Sequence, residues 1–329
     1  MKLSNSAINR IGDIIRQEKH DETYDEAIFA LNEWREKHGA IMDSYYDKCM
    51  AISAKINKNI VVAQRLKRLP TIIGKLKRFD KMRLSSMQDI AGVRVIVKDM
   101  EELTAVEKEI GKLSNLYKIS DYIKNPKNSG YRGKHFIFRE NNMFVEVQIR
   151  TQLQHLWATS VETTDVFRGS SMKTLDEKTY WHDFFIQVST VFAIAENEKT
   201  LPDYKGKELS EVCSSLEENV SKHKIFRDIS TFALTQPFIL NDKVKNAYYA
   251  VMFLDFKKKE AVVTTYREEE YDAAFSKYEA LEKKAKTGSN TVLVAVSQIK
   301  ELRNAYPNYF MDLNAFLSII KFILDKAIK

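Results

Sequence analysis

The sequence predicts an α+β protein, and three observations carry that reading. Ile28, Leu31, Trp34, Ile41, Tyr45, Cys49 and Ile52 recur at three- to four-residue steps with charges between them, the period of an amphipathic helix. Ala91-Gly-Val-Arg-Val-Ile-Val97 and Val145-Glu-Val-Gln-Ile149 are β-branched and alternate, the pattern of strands. Strand-like and helix-like stretches then interleave as far as the C-terminus.

The elements follow in order. Ile60 to Lys67 reads as a strand that places Arg65 and Lys67 on one face. Pro70 opens a helix, a position proline tolerates, with Ile72, Leu76 and Phe79 as its apolar stripe. Met100 to Leu113 reads as a helix and Tyr117 to Ile123 as extended. Lys134 to Arg139 and Met143 to Arg150 form a hairpin around Glu140-Asn-Asn. Thr151 to Val161 and Leu175 to Glu198 return to helix. Pro202-Asp-Tyr-Lys-Gly206 reads as a linker, which divides the chain into residues 1–201 and a smaller α+β unit, 207–329. That unit begins with a helix from Glu208 to Lys224 and continues through a less regular stretch. A hairpin follows, Tyr248–Phe256 and Ala261–Tyr266, turning at Lys257-Lys-Lys. Then come a helix from Glu268 to Lys286, a strand from Thr291 to Val296, and a final helix capped by Asp312.

Composition narrows the class. With 44% hydrophobic and 29% charged residues over 329 positions the chain is globular, and 10 Gly and 5 Pro exclude collagen-like and low-complexity designs. No apolar run reaches the roughly 18 residues of a membrane-spanning helix, and the N-terminus lacks a secretory h-region, so no membrane partner is expected. Cys49 and Cys213 stand alone, which argues against a disulfide framework and for a reducing, cytoplasmic setting. Between Arg65 and Arg83 lie eight basic residues and one acid, a block as positive as the +7 of the whole chain. Such a block fits a bound polyanion, but taken alone it reads first as a solvated helix face.

Three segments hold residue types that do chemistry. In Asp89-Ile-Ala-Gly-Val-Arg94 a carboxylate precedes a buried strand. It suits a Mg²⁺ ion, which takes one or two carboxylates plus substrate phosphates, and it equally suits a turn cap. Tyr122 to His135 is a polar loop with Gly130, Gly133, Lys127, Arg132, Lys134 and Tyr131. Its lysines and backbone N–H groups can cradle phosphates, and Tyr131 can stack on a base or pack on the sheet. In Val145 to Arg150 the alternation sends Val145, Val147 and Ile149 to the core and leaves Glu146, Gln148 and Arg150 on the other face. Across the sheet, Glu146 and Asp89 would make a two-carboxylate site.

Together these segments resemble the synthetase domain of the RelA/SpoT family, the alarmone synthetases. The resemblance lies in Arg65-Leu-Lys67, Thr71-Ile-Ile-Gly-Lys75-Leu76, Asp89 to Arg94, Asp121 to His135, and Glu146-Val-Gln-Ile-Arg-Thr151, in that order. It implies a mixed, mostly antiparallel sheet flanked by helices, akin to nucleotidyltransferases. It implies a pyrophosphate transfer from ATP to the 3′-hydroxyl of a purine nucleotide, GDP or GTP. By motif position Asp89 and Glu146 would hold Mg²⁺, with Glu146 as the base for the 3′-hydroxyl. Arg65 and Arg94 would clamp the adenine of ATP, and Lys67, Lys75 and Arg78 its phosphates. Tyr131 would stack on the acceptor base, with Lys127, Lys134, His135 and Gln148 lining that side.

The family's N-terminal metal-dependent hydrolase is not expected, and His20-Asp21 and His182-Asp183 read as structural. Lys118-Ile-Ser-Asp121 matches neither variant that marks GDP or GTP preference in long members, so the acceptor stays open. One alternative keeps the chemistry and makes the tRNA 3′ end the acceptor, as in toxin relatives, with residues 207–329 as inhibitor or sensor. Another is a non-catalytic nucleotide-sensing module. Small synthetases of this kind often form homo-oligomers, so that assembly is an expectation of the resemblance alone.

Overall fold

The computed structural model describes residues 4–17, 19, 21–168, 179–233, 238–241, 247–255, 260–284, 289–296 and 313–327. Its elements are α1 (Asn5–Gln17), α2 (Glu22–Ile56), β1 (Val61–Leu66), α3 (Leu69–Arg78), β2 (Ala91–Val97), α4 (Met100–Ile110), β3 (Leu116–Asp121), β4 (Lys134–Glu140) and β5 (Met143–Thr151). They continue through α5 (Gln152–Arg168), α6 (Tyr180–Ala195), α7 (Leu209–His223), α8 (Ile225–Ala233), β6 (Phe238–Asn241), β7 (Tyr249–Asp255), β8 (Glu260–Tyr266), α9 (Tyr271–Lys284), β9 (Ser289–Val296) and α10 (Asn314–Ala327).

All nine described strands join one sheet in the order β3-β4-β5-β2-β1-β9-β7-β8-β6. β2 and β5 run parallel, as do β6 and β8, and every other pair is antiparallel. The fold is thus a mixed, mostly antiparallel sheet flanked by helices. The β4–β5 hairpin turns through Asn141 and Asn142 at φ 51° and 63°, the left-handed pair that a tight hairpin needs and Asn tolerates.

One face of the sheet carries the main core. Val62, Leu66, Val93, Val95, Val145, Val147 and Ile149 pack there against Tyr45, Tyr46 and Cys49 of α2, Leu103, Val106 and Ile110 of α4, and Phe275 and Tyr278 of α9. A second apolar cluster joins α5, α6, α7, α8 and α10, and a third joins α1, α2 and α3. Each fully buried Leu, Ile or Phe contributes about 1.5–3 kcal/mol, so residues far apart in the chain share most of the stabilising surface.

Several details differ from the sequence reading. Residues 225–233, read as irregular, form α8, with Ile225 and Ile229 both buried one turn apart. β6 adds a short strand beside β8. Strands from both sides of residues 202–206 meet in the same sheet, because β9 pairs with β1. Asp21 and His182 do have structural roles, in keeping with their reading: Asp21 caps α2 by accepting from the Tyr24 N–H at 3.0 Å, and His182 takes part in the capping box of α6 with Thr179. The Lys257–Lys259 turn and Asp312 lie outside the described residues.

Candidate active site

The second face of the sheet gathers polar groups because strand alternation sends every other side chain there. β1, β2 and β5 align Arg65 with Gly92 and Gly92 with Glu146. One step along, Arg94 aligns with Gln148, and Gln148 with His135 of β4. Gly92 therefore leaves open space between Arg65 and Glu146. A Cβ there would meet only the Arg65 carbonyl oxygen, at 3.5 Å.

Asp89 lies in the turn before β2. The Lys67 N–H donates to the Ile90 carbonyl at 2.8 Å, which draws the chain leaving β1 beside that turn. Lys67 Nζ then reaches Asp89 Oδ2 at 2.7 Å, and Lys75 Nζ, from α3, reaches Oδ1 at 3.1 Å. Burial alone would raise the Asp89 carboxyl, but the two ammonium groups outweigh it and hold the group below its ordinary value. Asp89 is an ionised carboxylate with a lysine on each oxygen.

Glu146 is also held as an anion. Burial pushes its carboxyl up and Asp89 adds to that push, yet hydrogen bonds from His135 and Gln148 bring it below the ordinary value. His135 Nδ1 lies 2.7 Å from Oε1, and Gln148 Nε2 donates to Oε2 at 2.7 Å. The other ring nitrogen of His135 lies 2.5 Å from the Tyr131 hydroxyl. That hydroxyl accepts from Arg150 at 2.9 and 3.2 Å, and Arg150 also donates to Gln148 Oε1 at 2.8 Å. A carboxylate can only accept, so Nδ1 donates to Glu146. The result is a continuous chain, Arg150–Tyr131–His135–Glu146.

The loop between β3 and β4 supplies Tyr131. Gly130 and Gly133 adopt φ of 90° and 147°, which favour glycine. The Gly130 carbonyl accepts from Ser189 Oγ of α6 at 2.5 Å. The Tyr131 ring meets Tyr122, His135 and Trp157 edge-on, while Lys127 Nζ and the Arg150 guanidinium each lie 5.1 Å from its centroid.

The structure thus brings Arg65, Arg94, Glu146, Gln148 and His135 to one face, with Asp89, Lys67 and Lys75 at its edge. Lys127 stands exposed over Tyr122 and Tyr131. Arg78 is exposed at the end of α3. Lys134 is placed differently. It faces α4, buried, and pairs with Glu107 and with Asp121 at 3.2 Å. As the neighbour of His135 on a strand it has to point the other way. Arg150 and Tyr122 complete the site without having been singled out for it. Arg150 shares the alternating face of Glu146 and Gln148, which is the signal that marks it.

The two carboxylates could contribute to a hard-cation site, since both are held as anions and offer oxygen, and Asp89 disfavours the charge on Glu146. Among the described residues no group of three or more His, Cys, Asp and Glu could hold a metal by itself. An ion here would complete its shell with water and substrate oxygens.

Comparison with known proteins gives this face a context. The profile described as a region found in RelA / SpoT proteins matches residues 64–167, the stretch that holds nearly all of these side chains. The GTP pyrophosphokinase YjbM of Bacillus subtilis is 30% identical over 110 residues, 30% of this chain and 52% of that protein. An uncharacterized Mycobacterium tuberculosis protein is 37% identical over 106 residues, 31% of this chain and 38% of that one. The chain therefore spans about half or less of the length of these curated relatives. The crystal structure of small alarmone synthetase 1 from Bacillus subtilis bound to its product pppGpp is 20% identical, with a TM-score of 0.42, over 48% of this chain and 88% of that one. Over residues 64–167 the chain is thus similar to proteins of the RelA/SpoT family.

Proposed function

We propose that the protein transfers the β,γ-pyrophosphate of ATP to the 3′-hydroxyl of a guanine nucleotide, making a (p)ppGpp-type alarmone. One observation carries this reading. Inside the RelA/SpoT region, an ionised glutamate tied to a His–Tyr–Arg chain shares a sheet face with two arginines, beside an aspartate clamped by two lysines. The named activities of relatives such as the GTP pyrophosphokinase of Bacillus subtilis support it.

In this scheme the acceptor's 3′-oxygen attacks the β-phosphorus. The bond from that phosphorus to the bridging oxygen breaks, and AMP leaves with the oxygen. Glu146 takes the hydroxyl proton, and His135, fixed by Tyr131, holds its carboxylate in place. Arg65 and Arg94 stack on the adenine. Lys67, Lys75 and Arg78 meet the donor phosphates, the two lysines exchanging part of their hold on Asp89 for the substrate. Phosphoryl chemistry of this kind depends on positioning and charge neutralisation more than on covalent help. Mg²⁺, held by Asp89 and Glu146, would neutralise phosphate charge. Tyr131 and Lys127, with Gln148, line the acceptor side, and Lys134 braces the end of β4 from the opposite face.

The test is transfer of label from β-³²P-ATP with Mg²⁺ to GDP, GTP or bulk tRNA in separate reactions. Label in a guanine nucleotide with one AMP per transfer is expected, and Glu146→Gln should lower the rate by about 10²-fold or more. Label in tRNA alone, or in no acceptor, would refute the assignment.

A further inference from the structure

Helix α3 brings Lys75 to Asp89, yet its own sequence leaves its N-terminus bare. Its N-cap, Arg68, makes no side-chain cap hydrogen bond, and no acid stands in the first turn, while Lys75, Lys77 and Arg78 crowd the last. The first N–H groups of a helix need acceptors, and the helix dipole favours an anion beside them. That anion comes from the other end of the chain. The Leu69 N–H donates to Glu282 Oε1 at 2.9 Å across 213 residues of sequence, and Glu282 belongs to α9.

Glu282 is itself fixed from two sides. Its Oε2 pairs with Arg35 Nη1 of α2 at 3.2 Å, with the Glu282 and Arg35 side chains 7% and 0% exposed. The Tyr278 hydroxyl donates to Oε1 at 2.6 Å and accepts from Arg35 Nη2 at 2.5 Å. Arg35 Nη1 also donates to Asn32 Oδ1 at 2.6 Å. A buried carboxylate is kept only where such partners surround it, so the geometry around Leu69 is closely determined. The same C-terminal stretch grips β1 independently. β9 pairs with it, setting Val294 opposite Arg65. The strand that leads into Lys67 and the helix that begins two residues later are both braced from residues 271–296.

We infer that Glu282 is a positioning residue for the donor-nucleotide end of the site, holding the first turn of α3 so that Lys75 stands over Asp89. This rests on the assignment of ATP to that end. The C-terminal segment then belongs to the machinery that shapes the ATP site, instead of being a separable inhibitor. A merely structural Glu282 would weaken the whole fold and both nucleotide sites alike, whereas a positioning residue acts on one.

The experiment compares full-length wild type, Glu282→Ala and Glu282→Gln by titration with α,β-methylene-ATP and with GDP, and by amide hydrogen exchange over residues 69–78. Glu282→Ala should weaken binding of the ATP analogue about tenfold and leave GDP affinity within twofold. Exchange in α3 should speed up while β2, β4 and β5 keep their protection. Glu282→Gln retains an oxygen for the Leu69 N–H and should recover much of that α3 protection. If the Ala protein fails to fold, Glu282→Asp, whose shorter side chain withdraws the oxygen from the Leu69 N–H, carries the same expectations. Unchanged α3 exchange and unchanged analogue affinity in folded Glu282→Ala or Glu282→Asp would overturn the inference, as would equal losses for both nucleotides. A wild type that binds neither nucleotide would refute the ATP assignment and with it the functional role, while α3 exchange would still show whether Glu282 holds the helix.

Discussion

Asp89 shows how a single residue sets both charge and shape at this face. Its carboxylate takes one lysine on each oxygen, and its ordinary value of 3.8 is lowered in the fold by Lys67 and Lys75 against the push of burial. The consequence for stability has a definite sign. A carboxyl whose folded value lies below its unfolded one stabilises the protein above the unfolded value, and that contribution disappears as pH falls through the folded one. Asp89→Asn should therefore cost about 1–3 kcal/mol near neutrality, where two ammonium groups lose their anion. The gap to wild type should be full above about pH 5 and shrink as pH falls through the folded value. Urea midpoints measured from pH 3 to 7 check this, and a gap that does not vary with pH would contradict it. The same face illustrates what the sequence made legible. Arg94, Glu146 and Gln148 were locatable because strand alternation assigns faces by counting. The same counting separates Lys134 from His135, since adjacent strand residues cannot share a face. Motif membership had grouped them, and backbone geometry divides them.

At the scale of elements, the loop from Tyr122 to Gly133 is a docked structure. Its turn closes on itself, with the Gly130 N–H donating to the Lys127 carbonyl at 2.8 Å. Its tip rests on α5 and α6. A Cβ on Gly130 would stand 3.0 Å from the Ser189 Cβ and 3.1 Å from Trp157 Cζ2, at a φ of 90°. Neither neighbour is a free chain end: Trp157 is buried and donates to the Phe185 carbonyl at 2.7 Å. Gly130→Ala should thus cost about 1–3 kcal/mol through strain and crowding. Because Tyr131 follows directly, under the proposed reaction the variant should raise KM for the acceptor nucleotide and leave KM for ATP near wild type. Steady-state kinetics with each substrate varied in turn decide it, and an equal rise in both constants would place the loop's role elsewhere. Elements were legible in the sequence in proportion to their length and punctuation. The β4–β5 hairpin was visible through its Asn pair and alternating valines. α8 was obscured by a break: Lys224, left-handed at φ 55°, ends α7 immediately before it, so two short helices read as one helix and a tail.

The whole molecule turns on a pairing that no local pattern announces. β9 enters the sheet beside β1 after more than two hundred intervening residues, and strand pairing at that distance leaves no periodicity to read. The linker-like Pro202–Gly206 stretch suggested two units, and the segment does turn tightly there, with Gly206 at φ 78°. The chain then returns to the same sheet. The cluster behind that sheet mixes Val62, Val95 and Val147 with Val251, Phe275, Tyr278 and Leu293. Apolar area shared in this way couples the unfolding of its parts, because exposing one set uncovers the other. The protein should therefore unfold in one cooperative step by heat or urea, with near-UV and far-UV signals tracing the same curve. ATP analogue, if bound only by the native state, should raise the midpoint of that single step. Two units joined by a linker would instead give two steps, with the nucleotide moving only the earlier or the later. The single step would also explain in advance why a chain ended near residue 206 should fail to fold, since β1 would lose its neighbour and α3 the carboxylate at its first turn.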